Sequence, residues 1–322
     1  MIKKFSIGYQ LPKKDNIPEI VKDFEEHIKE VYFAFPGDIS GRETLDEKHS
    51  KIFWKDMRTL EKMDINLALL FNGHYSNIKH IKKLINKRND EIQSLSNLTT
   101  IVTTSFFLAK EVKKRFPYLK IRASVNMNLN MNIKTIKEMK RFKDLFDEFH
   151  SSPNKQRNIK YLKKIDKWAK KNDKKIHILV NLGCLYGCSV ANQFCTPLLK
   201  NERRKTAPNC VRFFSKKENK YRFLQGGWIR PEDVHNYIPY CDTIKIATRG
   251  NKHPRLTIES YINQKYYGNF LNITESFFVN EFYPNIINNQ KFPSDWFKKT
   301  SSCKRNCDSC RYCKDVFELV KK

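Results

Sequence analysis

The chain has 322 residues, with 62 Lys and Arg against 34 Asp and Glu, so it carries a formal net charge of +28 on a composition that is 40% hydrophobic. That composition excludes collagen-like and disulfide-scaffold classes, and no apolar run approaches the roughly 18–20 residues that a membrane helix needs. The opening MIKKFSIGYQLPKK holds too short an apolar stretch for a secretion signal, so the expected location is cytoplasmic, with no membrane partner.

In chain order, short apolar runs alternate with amphipathic stretches. Candidate strands cover residues 5 to 9, 31 to 35, 65 to 71, 99 to 103, 119 to 125, 145 to 149, 176 to 181 and 242 to 247. Between them, apolar residues recur at helical spacing over 17 to 28, 44 to 63, 78 to 95, 107 to 116, 133 to 142 and 159 to 169, with another helix near 256 to 267. Strand and helix in repeated alternation predict an α/β fold, a (β/α)8 TIM-type barrel over residues 1 to 270. A doubly wound sheet gives the same local pattern, but the first strand is followed by no Gly-rich phosphate loop.

Barrel sites form at the C-terminal ends of the strands. Polar residues fall there: Pro36-Gly37-Asp38, Asn72-Gly73-His74, Asn126, His150-Ser151-Ser152, Asn181 and Arg249. Asn72, Asn126 and Asn181 are candidates to bind substrate. His74 is a candidate acid or base, and the forked guanidinium of Arg249 or Arg230 could clamp a carboxylate or phosphate. Each has a plainer alternative, namely a helix cap for the strand-end polar residues and, for Arg249, an ion pair with Glu232 or Asp233. His150 beside Ser151 and Ser152 offers the ingredients of a hydrolase, although sequence neighbours point apart. No His-Glu-x-x-His motif is present to make a metallopeptidase.

The connection from residue 182 to 241 is far longer than the few residues usual between barrel elements, and it contains a short helix beginning at Pro231. It also opens the cysteine-rich half of the chain. The first 183 residues hold none, whereas Cys184, Cys188, Cys195, Cys210 and Cys241 follow, and Cys303, Cys307, Cys310 and Cys313 crowd the extension of residues 271 to 322. An odd, clustered set favours thiolate ligation over disulfides. Cys184, Cys188, Cys195 and Cys210 could hold an iron-sulfur cluster at the mouth or a zinc ion. The tail set could hold structural zinc or a second cluster. Its Cys-x3-Cys-x2-Cys spacing is that of radical S-adenosylmethionine enzymes, but those place it after the first strand, where this chain has Gln10-Leu11-Pro12. Cys241, just before the eighth strand, is expected to be a core thiol, with a reserve role as ligand.

The run Val180-Asn181-Leu182-Gly183-Cys184 with Cys188 and Cys195, then Trp228 to Asp233, then Lys245-Ile246-Ala247-Thr248-Arg249, resembles the collagenase-like peptidase family U-32 and its barrel relatives. In that family the last strand ends Lys-Ile-Glu-Gly-Arg; here Ala247 and Thr248 replace the Glu and Gly. The resemblance implies a 4Fe-4S cluster held by Cys184, Cys188, Cys195 and Cys210. It also implies an oxygen-independent hydroxylation, as in relatives that act on RNA bases or on ubiquinone precursors. The surplus positive charge fits an RNA or anionic small-molecule partner. Lys, Asn and Ile are used heavily together, however, as AT-rich coding produces, and much of the Lys lies on helix faces such as 158 to 174. A peptidase, or a non-catalytic nucleic-acid-binding protein with structural zinc, are the other classes open to such a chain.

Overall fold

A computed structural model describes residues 4–12, 15–38, 40, 45–73, 77–129, 135–188, 209–276 and 278–322. It consists of β1 (Phe5–Gly8), α1 (Ile17–Asp23), β2 (Ile28–Phe33), α2 (Ser50–Leu60), β3 (Asn66–Phe71), α3 (Ile78–Lys87), α4 (Asn89–Ser94), β4 (Leu98–Thr103), α5 (Phe106–Arg115), β5 (Lys120–Ala123), α6 (Val125–Leu129), α7 (Ile136–Arg141), β6 (Glu148–His150), α8 (Ile159–Lys171), β7 (Lys175–Leu179), α9 (Asn209–Ser215), β8 (Thr243–Ile246), α10 (Pro254–Ile262), α11 (Trp296–Ser301) and α12 (Tyr312–Val320). The strands close into a parallel barrel in sequence order, with β8 pairing back onto β1.

The period-two pattern explains the closure. Outward residues such as Ile7, Val31, Leu67, Ile101, Ile121, Ile176 and Ile244 join one apolar cluster with helix residues such as Ile20, Met57, Val112 and Ile165. Helix α8 shows the matching arrangement, burying Leu162, Ile165, Trp168 and Ala169 while Lys160, Lys163, Lys164, Lys167, Lys170 and Lys171 stay in water. Tyr32, Ala34, Ala68, Leu70 and Val102 form a separate cluster lining one side of the lumen.

The expected strands are present with shifted ends. β2 begins at Ile28 rather than residue 31, because Lys29 and Glu30 belong to the strand and Glu30 enters the lumen. The segment between β7 and β8 holds more than the helix at Pro231, which is a 3-10 turn over Pro231–Asn236; α9 and a 3-10 segment over Lys217–Gln225 precede it.

The residues after β8 return to the mouth. Glu275 N–H donates to the Asn181 carbonyl at 2.9 Å and Gly183 N–H to the Glu275 carbonyl at 3.0 Å, so this segment prolongs β7. Farther on, α12 packs against Lys217–Gln225 and α11 brings Trp296 onto Trp228, with ring centroids 5.7 Å apart. Gly227 is needed where this layer meets the barrel, since a Cβ there would stand 1.7 Å from the Pro153 carbonyl oxygen. Gly227→Ala is therefore expected to cost about 3 kcal/mol, read as a lowered midpoint in thermal unfolding.

Candidate functional site

Side chains from β2, β5, β6 and β7 meet across the lumen. Arg122 donates to both oxygens of Glu30, at 2.8 and 2.6 Å, and to Glu148 at 2.5 Å; Ser6 donates to Glu30 at 2.6 Å. His177 Nε2 lies 3.1 Å from Glu148 Oε2, and its ring stands 5.3 Å from that of His150. All are buried. Burial pushes the Glu30 carboxyl up, but the Arg122 guanidinium overcomes this and brings it to about 2. Glu148 is likewise held well below the carboxylate range by Arg122 and His177 against its own burial. These four groups form a fixed charged floor, and each carboxylate has its cation in place.

Above the floor the character changes. Lys245 Nζ sits 3.8 Å from the centroid of the Tyr32 ring, and the Tyr32 hydroxyl donates across to the Ile246 carbonyl at 3.0 Å. Burial, reinforced by the charges of Lys245, His177 and Arg122, holds His150 well below the ordinary histidine value, so its imidazole is neutral at physiological pH. A neutral ring beside a buried ammonium can accept or relay a proton while the cation holds an anion. The sequence reading passed over Glu30, Arg122, Glu148 and His177. The readable signal was ionisable residues set inside otherwise apolar strands.

Arg249 reaches from the end of β8 toward the β2 loop, donating to Ser40 Oγ at 2.8 Å with its guanidinium 5.8 Å from the Tyr32 ring. Its expected alternative partner is taken by Arg230, which forms a two-bond pair with Asp233 at 2.9 and 3.1 Å and covers Phe292. Arg230 thus braces the extension. Asn181 is wholly buried, its amide donating to the Ala247 and Ile273 carbonyls and accepting from the Ala247 N–H. That clamp ties β7, β8 and the returning segment together. Asn72 is buried with Oδ1 lacking a hydrogen-bond partner among the described residues, and Asn126 is half-buried in α6. His74 and Cys195 lie outside the described residues. His150, Ser151 and Ser152 are all buried, so neither hydroxyl is presented to a polypeptide.

Cys184 is exposed and Cys188 half-buried on the loop leaving β7, and Cys210 is half-buried on α9. Cys241 is buried before β8, its thiol 3.6 Å from the Tyr237 carbonyl, and burial pushes it up to about 12, as befits a core thiol. In the tail, Arg305 N–H donates to Cys303 Sγ at 3.3 Å, from a left-handed backbone at φ 64°. Burial pushes the Cys313 thiol up to about 11, opposed by Arg157.

Arg157 is the group that tests whether these cysteines suit a metal. It is buried, donates to the Trp228 and Leu224 carbonyls at 2.6 and 2.9 Å, and lies against the Trp228 and Trp296 rings. Its Nη2 has no hydrogen-bond partner among the described residues. A buried cation with an unspent donor, interacting with Cys313, is chemically matched to the negative charge that a thiolate-held metal carries. Among the described residues, however, no three His, Cys, Asp or Glu side chains are assembled as a metal cage. The donor chemistry fits a soft metal or cluster, and the thiolates have to close on it as it binds.

No protein-family model matches the chain. It is 24% identical to Uncharacterized protease MJ1657 of Methanocaldococcus jannaschii over 331 aligned positions, covering 96% of this chain and 93% of that one. Among solved structures, an α-amylase from Lactobacillus plantarum has a TM-score of 0.38 at 6% identity, covering 76% of this chain and 70% of its own. The 3,6-anhydro-D-galactonate cycloisomerase from Zobellia galactanivorans scores 0.36 at 9% identity, covering 79% and 56%. Likenesses of that size bear on neither fold nor chemistry.

Proposed function

This chain is a divergent member of the peptidase U-32-like barrels, and from that premise we propose that it is a thiolate-metal barrel enzyme performing an oxygen-independent hydroxylation, or a related redox modification, of RNA or of an anionic small molecule. The observation that carries the reading is the pairing of a buried cationic lumen with soft ligands on the loop directly over it. Lys245 and Arg249 supply positive charge beneath the mouth, and Cys184 and Cys188 leave β7 beside them. A 4Fe-4S cluster held by cysteine thiolates would supply one-electron chemistry there.

The chain's own residues would do the rest. Lys245 and Arg249 would hold the anionic part of the substrate, and neutral His150 would take the proton released when a C–H bond becomes C–OH. Two electrons leave the substrate in that exchange, and its oxygen comes from water or an organic hydroxyl donor. The Arg122 floor keeps the lumen below from filling with loose water.

Proteolysis is the other reading, favoured by the name of the Methanocaldococcus relative. The burial of Ser151 and Ser152 speaks against it. Replacing Cys184 and Cys188 together by Ala should abolish the broad visible absorption of the anaerobically purified protein. Unchanged absorption would remove these cysteines as ligands, and metal-independent cleavage of unfolded casein by the same variant would favour the peptidase.

A further inference from the structure

The two cysteine groups, far apart in sequence, are in contact. Tyr186 lies between Cys184 and Cys188, Arg305 lies between Cys303 and Cys307, and the Arg305 guanidinium sits 4.4 Å from the centroid of the Tyr186 ring. Arg305 is fixed in that position. Its Nη1 donates to the Gln225 carbonyl at 2.5 Å, and its own backbone N–H caps Cys303 Sγ. Gly187, at φ 64°, turns the loop immediately after Tyr186 with open space around it.

The tail thiols also differ among themselves. Cys303, Cys307 and Cys313 are partly buried and interact with one another electrostatically, whereas Cys310 is exposed. Three cations face this set from three elements: Arg157 from before α8, Arg222 from the 3-10 segment, and Arg305 from the tail itself. A divalent ion held by four thiolates retains two negative charges, and N–H donation to sulfur is the usual support of such ligands.

We propose that the tail is not a self-contained knot: Cys303, Cys307 and Cys313 provide three thiolates of a single metal centre, the Cys184–Cys188 loop provides the fourth, and Arg157 and Arg305 supply its counter-charge. The centre joins the mouth loop to the extension, so metal occupancy fixes how the loop lies over the barrel. This inference concerns ligation alone. It holds for zinc as well as for an iron-sulfur cluster, and does not depend on the hydroxylation reading.

The test is a Co2+ titration of the full-length, chelator-stripped chain under anaerobic conditions, following the intense sulfur-to-cobalt absorption. The Cys184→Ala/Cys188→Ala pair is expected to weaken binding about tenfold or more, as are Cys303→Ala, Cys307→Ala and Cys313→Ala singly, with Cys310→Ala close to the unsubstituted chain. Arg305→Met, which keeps every thiol, should also weaken binding, and circular dichroism should show the barrel intact in the loop variant, whose cysteines lie at the surface. Full binding by the loop variant combined with loss in Cys310→Ala would overturn the proposal in favour of a tail-only knot. Absence of Co2+ binding in the unsubstituted chain would overturn it as well. A zinc-only native protein would remove the redox reading and leave this ligand set standing, so the two failures are distinguishable.

Discussion

Arg122→Met is expected to destabilise the protein by about 3–5 kcal/mol, because it strands two carboxylates in the lumen that share one guanidinium. Urea unfolding followed by circular dichroism reads the loss. Removing all the charges together, as Arg122→Met with Glu30→Leu and Glu148→Leu, should cost much less, since most of the penalty is the uncompensated charge and not the lost attraction. A loss below about 1 kcal/mol for Arg122→Met alone would mean that water reaches the floor and screens it.

The same network sets the response to acid. His150 and His177 have values below the ordinary 6.5, so between that pH and their folded values the unfolded chain binds protons that the folded one does not. Stability therefore begins to fall as the pH drops below about 6.5. Glu30 and Glu148 are depressed from 4.5, Glu30 to about 2, so their contribution is complete above about 4.5 and is lost only as the pH falls from there toward 2. An unfolding free energy that stays flat from pH 7 to 5 would contradict the assignment of buried, neutral histidines.

The second large effect is expected at Trp228. Its ring packs on Phe223, Phe270 and Trp296 and carries the Arg157 guanidinium on its face at 4.1 Å, while its indole N–H donates to the Phe223 carbonyl. Trp228→Ala opens a cavity worth about 3–5 kcal/mol. It also frees the extension from the barrel, so limited proteolysis should release a fragment containing Cys303 to Cys313 well before the barrel is cut. Simultaneous degradation of both parts would show that the extension is held by something other than this aromatic layer.

The barrel itself was legible because its outward strand faces and inward helix faces repeat with fixed periods, and Ile, Val, Leu and Phe fill them. Boundaries failed where the lumen is charged: Lys29 and Glu30 looked like a turn before a strand at residue 31, although Glu30 is an inward position of β2. Arg249 and Arg230 were both picked out from their places, but sequence could not say that Asp233 belongs to Arg230 and Ser40 to Arg249, since these contacts depend on how the mouth loops fold back. Asn181 was read as a substrate ligand because it ends a strand. Its amide turns out to close β7 against β8 and the returning chain. The cysteine groups were visible by spacing alone. That they touch through Tyr186 and Arg305 rests on a long-range return of the chain, which no local pattern records.

Anaerobic purification of the full-length protein, followed by iron, acid-labile sulfide and zinc analysis together with its absorption spectrum, tests the central claim most directly. The account predicts stoichiometric iron and sulfide with broad absorption near about 400 nm that is lost in the Cys184→Ala/Cys188→Ala variant. Zinc without sulfide or visible absorption would contradict it, leaving a barrel whose thiolates hold a structural metal and whose cationic lumen serves binding or hydrolysis.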